Sequence, residues 1–235
     1  MRVAVTWRVT ATVCVILITE VLVCAAAALP VVATWSWLLP MMAPYGIARV
    51  IVVSIAAVPS YVLFALLIMP VSAFATWVTR ARTPPNADLR IANCDWPLMT
   101  WARYGAATHL VRVVAGTLFR GSPLWSMYLR LNGAHIGRRV YVNSTQLADH
   151  NLLAFGNDVV IGADVHLSGH TVEGGVLKTG RVRLGSGVTI GLGTLVDIDS
   201  DIGDGCQVGA LSVVPKHARL ARDGIYVGVP VVRLK

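Results

Sequence analysis

Charge is scarce in this sequence. Asp, Glu, Lys and Arg make up 14% of its 235 residues while hydrophobic residues make up 55%, a balance unlike that of a wholly soluble domain. Between Val9 and Thr79 the scarcity is nearly complete, since only Glu20 and Arg49 carry charge. Metal-type cysteine spacing is lacking too. Cys14, Cys24, Cys94 and Cys206 stand far apart and two of them lie in apolar stretches, as reduced thiols of a cytoplasmic protein would. Nor is there a Lys/Arg block or a recognisable nucleic-acid module. The net charge of +8, borne mainly after residue 79, therefore points to anionic lipid or a polyanionic small molecule rather than nucleic acid.

What is present first is a pair of apolar runs. Residues 9–29 are long enough to cross a hydrocarbon core of ~30 Å, and residues 51–77 are longer, with Pro59 and Pro70 as expected kinks. Residues 30–45, with Trp35, Trp37, Pro40 and Pro44, read as a short apolar connector at an interface. Arg2 and Arg8 precede the first run, and Arg80, Arg82 and Arg90 follow the second. The positive-inside rule places both ends of this transmembrane hairpin in the cytoplasm, giving a multi-pass protein of the cell (inner or plasma) membrane. A cleaved signal peptide over residues 1–28 is the rival reading, disfavoured by the length of the run and by Glu20. Glu20 near mid-membrane fits best as a protonated group hydrogen-bonded between helices, ahead of a polar substrate contact or a meeting of symmetry mates. Arg49 reads as a snorkelling anchor.

Residues 96–119 interleave Trp96, Trp101, Tyr104, Leu110, Val113, Val114 and Phe119 with Arg103, Arg112 and Arg120. This helical spacing fits a helix in the membrane surface or one packed on the rest of the protein. Ser122-Pro123 then opens a helix to about Leu131, Ser122 as N-cap and proline at the first position.

The clearest signal is a period of six. Leu184, Ile190, Val196, Ile202, Val208 and Val214 recur without a break, and glycine follows four of them. Four positions after each stands a small or β-branched residue: Val188, Thr194, Ser200, Cys206, Ser212 and Ala218. Ile136-Gly137 and Ile161-Gly162 repeat the opening upstream, with Phe155 and Leu167 in step with Ile161. Neither a helix nor a half-buried strand has this period. A triangular left-handed parallel β-helix does, one hexapeptide to each side, with the aliphatic residue inward and glycine relaxing the turn. The expected fold is thus an all-β left-handed parallel β-helix with an N-terminal α-helical transmembrane hairpin. Residues 1–79 form the hairpin, 80–134 an amphipathic connector, 135–219 the β-helix, and 220–235 a tail packed along it. The register slips between Val142 and Phe155, and residues 171–181 leave the coil as a loop with His170 at its foot. Functional residues concentrate on such loops.

Three segments carry a resemblance: Ser168-Gly169-His170-Thr171-Val172-Glu173, the pair Asn143 and Asp149, and Val227-Gly228-Val229-Pro230. Over about residues 134–235 the sequence resembles the hexapeptide-repeat acyltransferases, the galactoside and maltose acetyltransferases in particular. Residues 121–137 and 170–178 are similar to the membrane-bound hexapeptide region ending some nonribosomal peptide synthetase-like proteins, here without adenylation or carrier domains. The resemblance implies a homotrimer with His170 as general base. A neutral imidazole near pH 7 suits removal of a proton from a hydroxyl or amine attacking a thioester. Asp149 or Glu173 would fix its tautomer or bind the acceptor, and Asn143 would bind the acceptor. Acyl-coenzyme A is the implied co-substrate, with no permanently bound cofactor, and Ala210, Lys216, Gly228 and Pro230 match the positions that contact it. The family's basic residue two after the final proline is Val232 here, followed by Arg233. His150, His166 and His170 could be compared with the zinc ligands of carbonic anhydrases sharing the fold. His166 and His170 occupy different rung positions, so no metal is expected.

Three functions compete at this point. The first is acyl transfer, most simply acetyl, from coenzyme A to a lipid-linked or amphiphilic acceptor at the membrane lipid. The second is amide formation from an aminoacyl group on a carrier protein. The third is a non-catalytic trimeric scaffold organising other enzymes of a pathway.

Overall fold

The computed structural model describes residues 2–42, 44 and 46–234. Two helices open it, α1 (Arg2–Met41) and α2 (Gly46–Val78). Both are long and apolar enough to cross a membrane, each with a mean hydropathy of 2.5. The connector expected over residues 30–45 is largely absent, because α1 runs helical through Pro30 and Pro40 to Met41. Tyr45, the far end of that expected connector, lies outside the described residues. Glu20 is half-buried and lines a cavity of about 20 Å³ with Thr76 of α2, Thr79 just after it and Arg103 of the next helix.

That helix, α3 (Trp96–Val111), lies between the pair and the rest of the chain. Arg8 of α1 reaches Asp95, just before α3, at 3.0 Å, and the Ser72 hydroxyl of α2 donates to the Ala107 carbonyl at 3.3 Å. The backbone widens to a π-helix over Arg112–Gly116, then closes with α4 (Thr117–Phe119). Residues 96–119 therefore pack against the long helices on one side and, as described below, face the coil on the other. Next comes α5 (Pro123–Leu131), with Ser122 accepting from the Trp125 N–H at 3.4 Å. Trp125, Tyr128 and Leu129 bury the inner face of α5 in the core shared with the coil.

From His135 onward short strands form three parallel sheets that the chain visits in rotation. Thr189–Ile190 pairs with Val160–Ile161 and Gln207–Val208, and Leu195–Val196 with His166–Leu167 and Val213–Val214. Asp201–Ile202 pairs with Val182–Leu184 and Arg219–Leu220. Four of these six partners stand three hexads away, and the two that lie across the 170–179 excursion stand 29 residues away. The aliphatic residues of the period are buried, as are Val188, Thr194, Ser200, Cys206 and Ser212 beside them. Backbone N–H and C=O groups are satisfied by the turns above and below, so two-residue strands suffice.

The glycines after the aliphatic residues serve close approach rather than turning. A Cβ on Gly191 would lie 2.4 Å from the Ala210 nitrogen of the next turn. The left-handed backbone instead falls three positions after each aliphatic residue, at Gly187, Gly193, Asp199, Gly205, Leu211 and His217. Residues 225–234 close the coil: Ile225–Val227 continues one sheet in parallel, and Val232–Arg233 folds back on it antiparallel.

Residues 171–181 leave the coil as expected, but as structure rather than loop. His170–Glu173 and Val176–Thr179 form an antiparallel hairpin turned at Gly174-Gly175, and Asp88–Arg90 adds a third strand. Leu177 of the hairpin packs with Leu98 and Met99 of α3.

Candidate functional site

The slipped stretch between Val142 and Phe155 and the foot of the hairpin meet in space. Asp149 takes a left-handed conformation, φ 52°, at the head of a short 3-10 turn over His150–Leu152. This aims its carboxylate at the first hairpin residue, and Asp149 Oδ2 stands 2.5 Å from His170 Nδ1. Asp149 Oδ1 accepts twice more, from the Thr83 hydroxyl at 2.6 Å and from the Trp101 indole N–H at 3.1 Å. Asp149 is 5% exposed, and its charge is met by three donors, as a buried charge requires.

His170 is half-buried. With Nδ1–H donated to Asp149, the neutral ring carries its lone pair on Nε2. Burial opposes the charged ring, but the hydrogen bond and charge of Asp149 outweigh it and hold the pKa above the ordinary 6.5. Trp101 packs edge-on against the imidazole, centroids 5.1 Å apart, which fixes the ring plane. The backbone is pinned as well: His170 N–H donates to Ser168 Oγ at 3.2 Å, and Ser168 Oγ–H to the His170 carbonyl at 2.7 Å.

The imidazole opens onto a cleft of about 180 Å³ between coil and α3. Leu147, Ala148, Asp149 and His170 line one wall, and Trp101, Gly105, Thr108, His109 and Arg112 the other. An oriented imidazole facing a cleft can accept a proton from a hydroxyl or amine placed there.

Of the residues singled out in the sequence, the structure brings His170 and Asp149 together. Glu173 lies three residues along the hairpin, where Lys178 (3.1 Å) and Lys216 both donate to it. These lysines hold its carboxyl below the usual range. Asn143 sits on the coil, its N–H bonded to the Ile161 carbonyl at 3.0 Å, and its side chain takes no part in the hydrogen bonds of the dyad among the described residues.

No family model matches the chain. It is 23% identical over 164 residues to a delta-poly-L-ornithine synthetase of Acinetobacter baumannii (strain AB307-0294), spanning 68% of this chain and 12% of that protein. Similar solved structures include a hexapeptide-repeat containing acetyltransferase from Vibrio cholerae. It is 13% identical with a TM-score of 0.43, over 57% of this chain and 91% of that one. Another is a mutant of AntD, an N-acyltransferase from Bacillus cereus, in complex with dTDP-4-amino-4,6-dideoxyglucose and coenzyme A. It is 26% identical with a TM-score of 0.35, over 43% of this chain and 59% of that one.

The residues expected from the sequence to contact an acyl donor are scattered over the later turns. Ala210 lies against Gly191 of the preceding turn, and Lys216 is engaged by Glu173. Gly228 takes φ 102°, with a cis Val229–Pro230 bond after it, and its carbonyl accepts from Val213 N–H at 3.0 Å.

Thr83 and Trp101 are not among the site residues expected from the sequence. Thr83 offers no signal, since its bond to Asp149 crosses 66 residues. Trp101, Gly105, Thr108, His109 and Arg112 do share one helical face by spacing, a stripe legible in the sequence but not attributable to the site.

His150, next to Asp149, is a buried support. Its Nε2 meets the Leu147 carbonyl at 3.1 Å, and its ring stands edge-on to Tyr104 and Tyr128. Burial lowers its pKa to about 4. A histidine depressed in the folded state stays neutral while the unfolded chain takes up a proton below pH ~6.5, so stability falls as pH drops from there toward ~4. The loss expected is ~3 kcal/mol across that window. Thermal denaturation of the detergent-solubilised chain at pH 7 and pH 5 checks it: His150→Gln should lose less on acidification than the wild type. Parallel losses would assign the titration to another group.

Proposed function

We propose that this protein is a membrane-anchored acyltransferase with His170 as its general base. The observation carrying the reading is the His170–Asp149 pair, buried on the carboxylate side and open to a cleft on the other. Residues 1–79 form the transmembrane hairpin, 80–134 the connector and 135–219 a left-handed parallel β-helix. Beyond residue 219 the chain continues and closes the coil, with Ile225–Val227 in parallel and Val232–Arg233 folded back on it, and the β-helix faces the cytoplasm. The hexad period and the rotation among three sheets support the β-helix; the two apolar helices support the anchor.

In this reading the acceptor, a hydroxyl or amine of an amphiphile, attacks the carbonyl of an acyl thioester. Nε2 of neutral His170 takes the acceptor's proton as the new C–O or C–N bond forms. The C–S bond then breaks, and the imidazolium returns the proton to the departing thiolate. Asp149 stabilises the imidazolium throughout without taking its proton. Backbone N–H groups of a neighbouring turn would meet the oxyanion. Acyl-coenzyme A is the donor, lying between subunits of a homotrimer along Ala210, Lys216, Gly228 and Pro230.

A second reading is favoured by the synthetase similarity: the thioester is an aminoacyl group on a carrier protein and the product an amide. Free-thiol release by the purified chain in bilayers, with acetyl-coenzyme A and with carrier-linked aminoacyl donors, separates the two. Release from coenzyme A alone supports the first reading, release from the carrier alone the second. No release from either would leave a scaffold.

A further inference from the structure

Some arginines, such as Arg8 and Arg120, lie within ion-pair distance of an aspartate, and others, such as Arg103, do not. Arg112 lines the cleft beside His170, and its side-chain partner is His109, 2.7 Å from its NH2 to Nδ1. Among the described residues no carboxylate pairs with it. A guanidinium only donates, so His109 Nδ1 accepts in this contact and Nε2 is the nitrogen left to donate, with no partner among the described residues. Two kinds of donor thus meet on one wall of the cleft.

A helix end does not explain the charge, because the backbone continues helically through the π-turn and α4 to Phe119. The π-turn begins at Arg112 itself, and such turns recur at functional sites. After burial, the Arg112 charge is among the causes that lower His150 and His166, so it is felt on the coil side of the cleft. Room for a ligand is present. Gly105 is a glycine inside a helix, where alanine would be favoured, and a Cβ built on it meets nothing within 4 Å.

We propose that Arg112, assisted by His109, binds an oxyanion of the acceptor. The molecule acylated then carries a phosphate or carboxylate near its reacting hydroxyl or amine, with Gly105 leaving space for it. The assignment to an acceptor rests on the acyl-transfer reading above. A planar guanidinium with a forked set of donors suits such a group better than an ammonium does.

The test measures binding at the site without relying on turnover. The full chain in uncharged maltoside micelles is treated with diethyl pyrocarbonate, and modification of His170 is followed by mass spectrometry at constant ionic strength. Inorganic phosphate should slow modification in the wild type. Arg112→Gln should raise the phosphate concentration needed at least tenfold, and Arg112→Lys less. Gly105→Leu, which fills the space and keeps the charge, should also weaken protection. Glycerol 3-phosphate and phosphatidic acid in mixed micelles distinguish a soluble from a lipid phosphate, and either one protecting through Arg112 supports the proposal. Equal protection in Arg112→Gln overturns it. So does the absence of protection in the wild type, and so does displacement of phosphate by free coenzyme A, which would give the site to the donor. Thioester consumption, measured in parallel, tests the transfer reading alone.

Discussion

His170→Ala should abolish most acyl transfer, by ~10²–10⁴-fold, while the protein remains folded and assembled. The side chain is half-buried at the foot of the hairpin and lies outside the apolar core, so its loss removes little packed volume. His150 cannot replace it, being enclosed by Tyr104 and Tyr128. In the wild type the raised pKa has a visible consequence. A base works only when neutral, so activity should fall as pH drops through a value above the ordinary 6.5 of histidine. Transfer by bilayer-reconstituted protein across pH, with trimer content checked by crosslinking, measures both. A trimeric His170→Ala protein turning over near the wild-type rate would remove the mechanism.

Asp149→Asn should cost nearly as much, through the tautomer rather than the charge. Trp101 Nε1 has only a hydrogen to give, and it gives it to Asp149 Oδ1, as does Thr83. An asparagine must therefore keep its amide oxygen on that side and turn its NH₂ toward His170 Nδ1. Nδ1 then has to accept, the ring proton moves to Nε2, and the lone pair needed for proton abstraction is gone. A loss of roughly 10²–10⁴-fold is expected. Combining Asp149→Asn with Trp101→Phe frees the amide to flip and should recover part of the activity, although Trp101→Phe alone lowers it. The kcat of the two singles and the double decides the matter. A double variant no better than Asp149→Asn would show that Trp101 does not set the orientation.

Why some of this was legible and some was not follows from the range of the interactions. The six-residue period records contacts between a side chain and the turn beneath it, and those repeat wherever the coil repeats. The role of its glycines was misread because crowding and turning both demand glycine. Only the backbone separates Gly191, which has no room for a Cβ, from Gly193, which has φ 65°. Leu211 and His217 hold the same left-handed corner without being glycine, so no residue type marks it. The extent of α1 was also hidden, since Pro30 reads as the start of a connector but, like Pro40, lies inside the helix. At the site, His170 and Asp149 stand out where the period fails. Their partners Thr83 and Trp101 come from segments with no period linking them to the coil.

The two ends of the coil bear on how such molecules meet one another. A stack of parallel two-residue strands exposes unpaired N–H and C=O groups on its terminal turns, and another stack could in principle add there without limit. Here α5 lies over the first turns, burying Trp125, Tyr128 and Leu129. At the other end Val232–Arg233 reverses direction and occupies the free edge of one sheet. Strand addition at these two places is thereby blocked, which works against head-to-tail polymerisation into fibres.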